Sequence, residues 1–220
     1  MPRGSILDDG ITHQEYFDLQ HRRRSLLRRA ALRFYRRYRP WIDGVPFLEI
    51  GVGSGHFLSH LIRLAPPETD IVGVDIDPDM IEKAAMVTPI RPNVRLLALD
   101  AGAPMPFAAG TFALIYSEHT FHHAENPDEV MAEASRVLRD DGVFVLMDIN
   151  PKKRFTRLIY FIGSMMRRMK IRVAVAEATV RSIERSLPDD RIEQMARDCG
   201  LRVAKKRPRL MDTWWELKKG

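Results

Sequence analysis

Cysteine is nearly missing from this sequence of 220 residues. Cys199 is the only one, which excludes an internal disulfide and any metal centre built on cysteine pairs. Its neighbours, Met195 to Leu201, read as the end of an amphipathic helix stopped by Gly200, a place where a small thiol packs. Long apolar runs are missing as well: nothing approaches the roughly 20 consecutive apolar residues that a membrane-spanning helix needs. Met1 to Gly10 lacks the apolar stretch of a secretory signal, so a cytoplasmic chain is expected. No internal repeat and no low-complexity linker divides the sequence, and at this length a single domain over 1–220 is expected.

Acidic residues are scarce at the two ends. Residues 1–41 carry a net charge of +6 and residues 151–220 carry +11, whereas residues 42–150 carry −11. Basic ends suit phosphates or an anionic membrane surface, and they also balance an acidic middle, which is the ordinary role of a solvated charged face.

What is present in the middle is an alternation of β-rich runs with helical patterns, as in βαβ units around a parallel sheet. Strands are expected at 45–50, 71–75, 94–99, 111–117 and 143–148, and helices at 56–64, from Asp77 to about Ala85, and at 127–138. Pro66-Pro67 stops the first of these helices, and Asp77-Pro78 opens the second with a cap and a proline in the first turn. Asp140-Asp141-Gly142 reads as the turn into the fifth strand. Residues 12–39 read as one amphipathic helix, with Leu19, Leu26, Leu27, Ala30, Ala31, Phe34 and Tyr38 on one face and arginines on the other. Residues 151–187 read as a helical insert or lid, apolar over more than one face between Phe155 and Met169. A last helix and two closing strands are expected over 188–220.

Glu49-Ile50-Gly51-Val52-Gly53-Ser54-Gly55 follows the first strand and precedes a helix. Glycines at 51, 53 and 55 let the backbone turn tightly and leave room for a ligand against it. A dinucleotide fingerprint needs G-x-G-x-x-G, but from Gly51 the last position is His56 and from Gly53 it is Leu58, so the NAD register fails. Asp75, twenty-four residues beyond Gly51, closes the second strand, and Asp100-Ala101 follows the third. An acid after a strand can accept hydrogen bonds from ribose hydroxyls, or simply cap a helix as Asp77 does.

These three strand ends together resemble the motifs of class I S-adenosylmethionine-dependent methyltransferases over roughly residues 45–150, about half the chain. The resemblance implies a cofactor-binding core at 45–150 in an α/β, Rossmann-like doubly wound sheet of seven strands, mostly parallel with the last strand antiparallel, and helices on both faces. It implies S-adenosylmethionine as cofactor, with Glu49 near its amino-acid end, Gly51, Gly53 and Gly55 in the loop, and Asp75 on the ribose. Ile76 and Met80 would contact the adenine, Asp100 and Ala101 its amino edge, and Ser117 would complete the set at the end of strand four. One departure is Phe112-Ala113, where the family has Phe-Asp. His123, Asn126-Pro127 and Glu133 to Leu138 are similar to the small-molecule branch that includes the quinone-biosynthesis C-methyltransferases.

His122 and His123 are the candidate catalytic bases, because an imidazole can take a proton as the methyl moves. The bland alternative is a capping or packing histidine. A metal held by His119, His122 and His123 is not expected, since no nearby carboxylate shares their helical face. The acceptor would be a small molecule, aromatic or lipid-like, beneath the N-terminal helix and the 151–187 insert, with Phe155, Tyr160, Phe161, Met165, Met166 and Met169 available to line its site. Arginines 154, 157, 167, 168 and 172 also suit peripheral contact with a membrane. The rivals are a methyltransferase of nucleic acid or protein using the basic flanks, and a non-catalytic cofactor-binding scaffold. Nucleic acid is disfavoured, because no base-amine methyltransferase motif, no catalytic cysteine pair and no RNA-binding module is present.

Overall fold

The computed structural model describes residues 12–169 and 174–220. Seven strands form one sheet in the order β3-β2-β1-β4-β5-β7-β6. They are β1 (Phe47–Ile50), β2 (Ile71–Asp75), β3 (Val94–Ala98), β4 (Phe112–Glu118), β5 (Leu138–Ile149), β6 (Leu201–Pro208) and β7 (Asp212–Lys219). Neighbours from β3 to β5 run parallel, and only β7 runs against its two neighbours. The sheet is the doubly wound one expected from the sequence, with its switch point between β1 and β4.

Alternation along the strands divides the core between two layers. On one face Phe47, Leu114, Tyr116, Val145 and Trp214 pack under α2 (Arg24–Tyr38), α3 (His56–Leu64) and the Ala84 side of α4 (Pro78–Val87). On the other Leu48, Ile115, Phe144, Leu146 and Trp215 meet α5 (Pro127–Val137) and α8 (Asp189–Asp198). Tyr38 Oη accepts from Trp214 Nε1 at 3.1 Å and donates to Glu216 at 2.7 Å, so a buried polar chain ties α2 to β7. The outer strand β6 carries Lys205, Lys206 and Arg207 exposed, which blunts an otherwise open sheet edge.

Three local readings differ from the structure. The expected single N-terminal helix is two, α1 (His13–Arg22) and α2, because the chain leaves helical geometry at Arg23 (φ −87°, ψ 2°). Periodicity could not locate that break, since both halves keep the same apolar spacing. Asp140-Asp141-Gly142 is an excursion inside β5: Phe112 pairs with Leu138 and Leu114 with Val143, so the extra residues bulge out of the ladder. Gly142 permits this, as a Cβ there would stand 2.8 Å from the Leu138 side chain and 3.0 Å from a backbone oxygen. The insert is also two helices among the described residues, α6 (Arg154–Arg168) and α7 (Ala174–Arg185), and a side chain at Gly163 would meet Val180 at 2.4 Å where they cross. No helix among the described residues is long and apolar enough to cross a membrane.

Candidate active site

A cavity of about 520 Å³ opens at the carboxyl edge of the sheet, where β1 and β4 part. Its floor is the loop after β1. Gly51 has φ +78° and Gly53 φ +51°, the left-handed region that favours glycine. The Gly51 and Val52 amides both donate to the Val74 carbonyl, at 2.8 and 3.0 Å, which pins the loop against β2. A Cβ on Gly51 would lie 2.0 Å from Thr120 Oγ1, so the backbone can pass there only without a side chain.

Three carboxylates converge around this floor. Glu49, in β1, is buried, and its Oε2 has no hydrogen-bond partner. Burial and the charges of Glu118 and Asp75 hold its pKa well above the usual carboxylate range. Asp75, at the end of β2, is also raised, mainly by burial, although its oxygens accept from the Gly53 amide at 2.8 Å and the Asp77 amide at 3.0 Å. Glu118 ends β4 and accepts from the Tyr116 hydroxyl. Tyr16 of α1 is pushed up to about 12 by burial and by the charges of Asp75, Glu118 and Glu49, so its hydroxyl faces the same group. Such a cluster stores repulsion that a cationic ligand would relieve.

The opposite wall holds three histidines in three electrostatic settings. His122 Nδ1 lies 2.5 Å from Asp148 Oδ1, both groups being buried. The same carboxylate accepts from the His122 and Ile149 amides, at 3.1 and 2.7 Å. A carboxylate paired in this way only accepts, so Nδ1 donates to it and Nε2 is the ring nitrogen left to exchange a proton. His119 has φ +53° and bonds Asp212 Oδ1 through Nε2 at 3.1 Å. Burial opposes its charge, but that bond and the charges of Glu118, Asp212 and Asp148 lift it to about 9. His123 is pushed down to about 3, first by burial and then by His122, which keeps it neutral.

Cover comes from helices outside the core. Tyr16, Leu19 and Gln20 of α1, with Arg23 just after it, close one side. Ala178, Thr179 and Ser182 of α7 close another, and Met211 and Asp212 before and at the start of β7 complete the rim. His13 of α1 reaches Asp77 Oδ2 at 2.6 Å and Asp79 at 3.1 Å, which fastens α1 to the start of α4. Among the described residues these three also form the one group whose metal-competent atoms lie within 4.8 Å of one another.

Of the residues singled out in the sequence, Gly51, Gly53, Asp75, Ile76, Met80, Asp100, Ala101, His122 and His123 line the cavity. Glu49, Gly55 and Ser117 stand behind the wall: Gly55 lets α3 approach Ala84 of α4, and Ser117 is fully buried in β4, one residue short of Glu118. The apolar residues of α6 do not line the cavity, contrary to the expectation for Phe155, Tyr160, Phe161, Met165, Met166 and Met169; α7 stands there. Tyr16, Glu118, Asp148 and Asp212 were not singled out. A signal existed for Glu118, which simply continues strand four past Ser117, and for Tyr16, which shares a helical stripe with Leu19, Gln20 and Arg23. Asp148 and Asp212 reach the histidines only through the sheet order.

The residues fit a sulfonium-bearing amino-acid nucleoside: acids beneath the loop for its positive charges, Asp75 beside Ile76 and Met80 for its nucleoside, and a backbone kept bare by glycine. Comparison with known proteins agrees. Residues 48–146 match the methyltransferase domain family. The malonyl-[acyl-carrier protein] O-methyltransferase of Legionella pneumophila is 31% identical over 104 residues, 47% of this chain and 36% of that protein. The ubiquinone/menaquinone biosynthesis C-methyltransferase of Geobacter sulfurreducens is 26% identical over 124 residues, 54% of this chain and 48% of its own. The matched region thus spans about a third to a half of these relatives' length. A TehB-like S-adenosylmethionine-dependent methyltransferase from Corynebacterium glutamicum shares the fold, with a TM-score of 0.65 at 15% identity over 94% of this chain and 98% of that one. Residues 48–146 are thus similar to the methyltransferase domain family, and the sheet has the fold of a solved methyltransferase.

Proposed function

We propose that the chain transfers a methyl group from S-adenosylmethionine to a small molecule, aromatic or lipid-like, and that His122, oriented by Asp148, takes the acceptor's proton. The convergence of Glu49, Asp75 and Glu118 on the glycine loop carries the cofactor half of this reading. When bound, the cofactor supplies an electrophilic methyl carbon next to a positively charged sulfur. Glu49 and Glu118 offset that charge from below, Asp75 accepts from the nucleoside hydroxyls, and Asp100 takes the adenine edge with Ile76, Met80 and Ala101 beside it. Gly51 and Gly53 keep the floor low, and Gly55 lets α3 close against α4 behind it. Ser117 supports Glu118 from within β4.

His122 carries the acceptor half. Asp148 holds Nδ1–H, which leaves Nε2 as the base, and His123 stays neutral beside it, with ring centroids 4.2 Å apart. His123 packs and excludes water in this reading. A small acceptor suits a cavity roofed by α1 and α7 and already partly filled by the cofactor, and the two relatives' names point to a carrier-bound acyl group and a quinone. The test is turnover against a panel of phenols, quinones and acyl thioesters. His122→Ala and Asp148→Asn should each lower kcat by about a hundredfold or more while cofactor affinity holds. Unchanged kcat in both variants would reduce the histidine to a packing residue.

A further inference from the structure

The outward side of α6 is apolar. Thr156 is buried, and Gly163, seven residues on, approaches Val180 of α7, so these two mark the inward stripe. Leu158, Phe161, Ile162, Met165 and Met169 form the opposite stripe, and each is exposed, Phe161 to 65% and Met169 to 62%. A helix that merely covers a domain has this pattern reversed, with polar residues outward. An exposed apolar stripe of this kind marks a surface that meets something else.

Charge indicates what that is. The sequence has no acidic residue between Asp148 and Glu177, and residues 151–172 hold eight lysines and arginines. Arg154, Arg157 and Arg168 are exposed, and helical spacing sets them beside Phe161 and Met165 along the same side. We infer that α6 is an interfacial helix that lays this chain on an anionic lipid surface, with the apolar stripe at the acyl boundary and the arginines at the phosphates. One stripe of five side chains along a single helix is small beside the roughly 20–30 residues a side of a stable protein interface. It suffices for a lipid surface, which adapts its shape and where long arginine stems add their own apolar contact. Leu210, 66% exposed in the turn before β7, lies near the same edge, since Lys153 at the start of α6 bonds the Arg209 carbonyl. Docking through α6 would place α7, the cavity's roof, directly behind the lipid surface. The inference rests on α6 alone and does not depend on methyl transfer.

The experiment is sedimentation of the full chain with vesicles of pure phosphatidylcholine and of phosphatidylcholine with about one third phosphatidylserine. Binding is expected to the anionic vesicles, weaker by about tenfold or more on neutral ones or in roughly 0.5 M salt. The double variant Phe161→Glu, Met165→Glu should lose about tenfold or more in vesicle affinity while keeping its circular dichroism spectrum and S-adenosylmethionine affinity. Replacing Arg154, Arg157 and Arg168 by glutamine should remove the preference for anionic vesicles. Failure of the wild type to sediment with either vesicle, or sedimentation unaffected by the glutamate pair, would overturn the inference. So would a dimer in light scattering that only the glutamate pair dissociates, since a second copy would then own the face.

Discussion

Glu49 is a buried acid whose second oxygen meets no donor, an arrangement that favours the protonated form. A cation arriving beside it favours the ionised form and expels the proton. Affinity for the cofactor should therefore rise with pH through the range in which Glu49 ionises, which lies above the usual carboxylate range. Calorimetry in two buffers of different ionisation enthalpy should show net proton release. Glu49→Gln should weaken binding by about tenfold and flatten the pH dependence. A pH dependence that stays as steep in the variant would place the titrating group elsewhere. At this scale the sequence disclosed acids by their place after strands, and Asp75 and Asp100 were legible that way. Asp148 was not, because its role depends on His122 folding back onto a strand twenty-six residues away.

Elements turn such residues into a site. The loop between β1 and α3 is legible from its three glycines, and its sensitivity follows from the contact with Thr120. Gly51→Ala should abolish cofactor binding and lower Tm, because the new methyl meets Thr120 at 2.0 Å and φ is +78°. Adding Thr120→Gly removes the clash but leaves the φ strain, so stability should recover only in part; full recovery would mean the conformation carries no strain. Helices outside the core were harder to read. The apolar spacing of 12–38 gave no sign that α1 leaves α2 at Arg23 to cover the cavity, because a stripe facing a ligand and a stripe facing the core have the same period. For the same reason α6 read as the acceptor wall, whereas α7, with the smaller residues Ala178, Thr179 and Ser182, occupies that place.

For the whole molecule the βαβ alternation was legible from the strand and helix patterns, while the seven-stranded doubly wound sheet with an antiparallel last strand was what the family resemblance implied. The histidines set its response to pH. His123, pushed down to about 3 from the ordinary 6.5, contributes stability that is present above pH 6.5 and lost as the pH falls toward 3, at about 1 kcal/mol per unit. His119, lifted to about 9, contributes stability that is complete below pH 6.5 and lost as the pH rises toward 9, with a shallower slope because its ring is 42% exposed to screening water. Thermal unfolding should show the highest Tm near pH 6.5, with His123→Gln flattening the acid side and His119→Gln the alkaline side. A profile unaffected by either change would contradict these assignments.

The loop after β1 and the acids around it form the cofactor site proposed above, and titration calorimetry with S-adenosylmethionine probes that site itself. Wild-type binding of about micromolar affinity is expected, weakened at least tenfold by Asp75→Asn, which keeps the side chain's size, and further by Asp75→Ala. Binding of NAD in its place, or equal affinity in all three proteins, would contradict it.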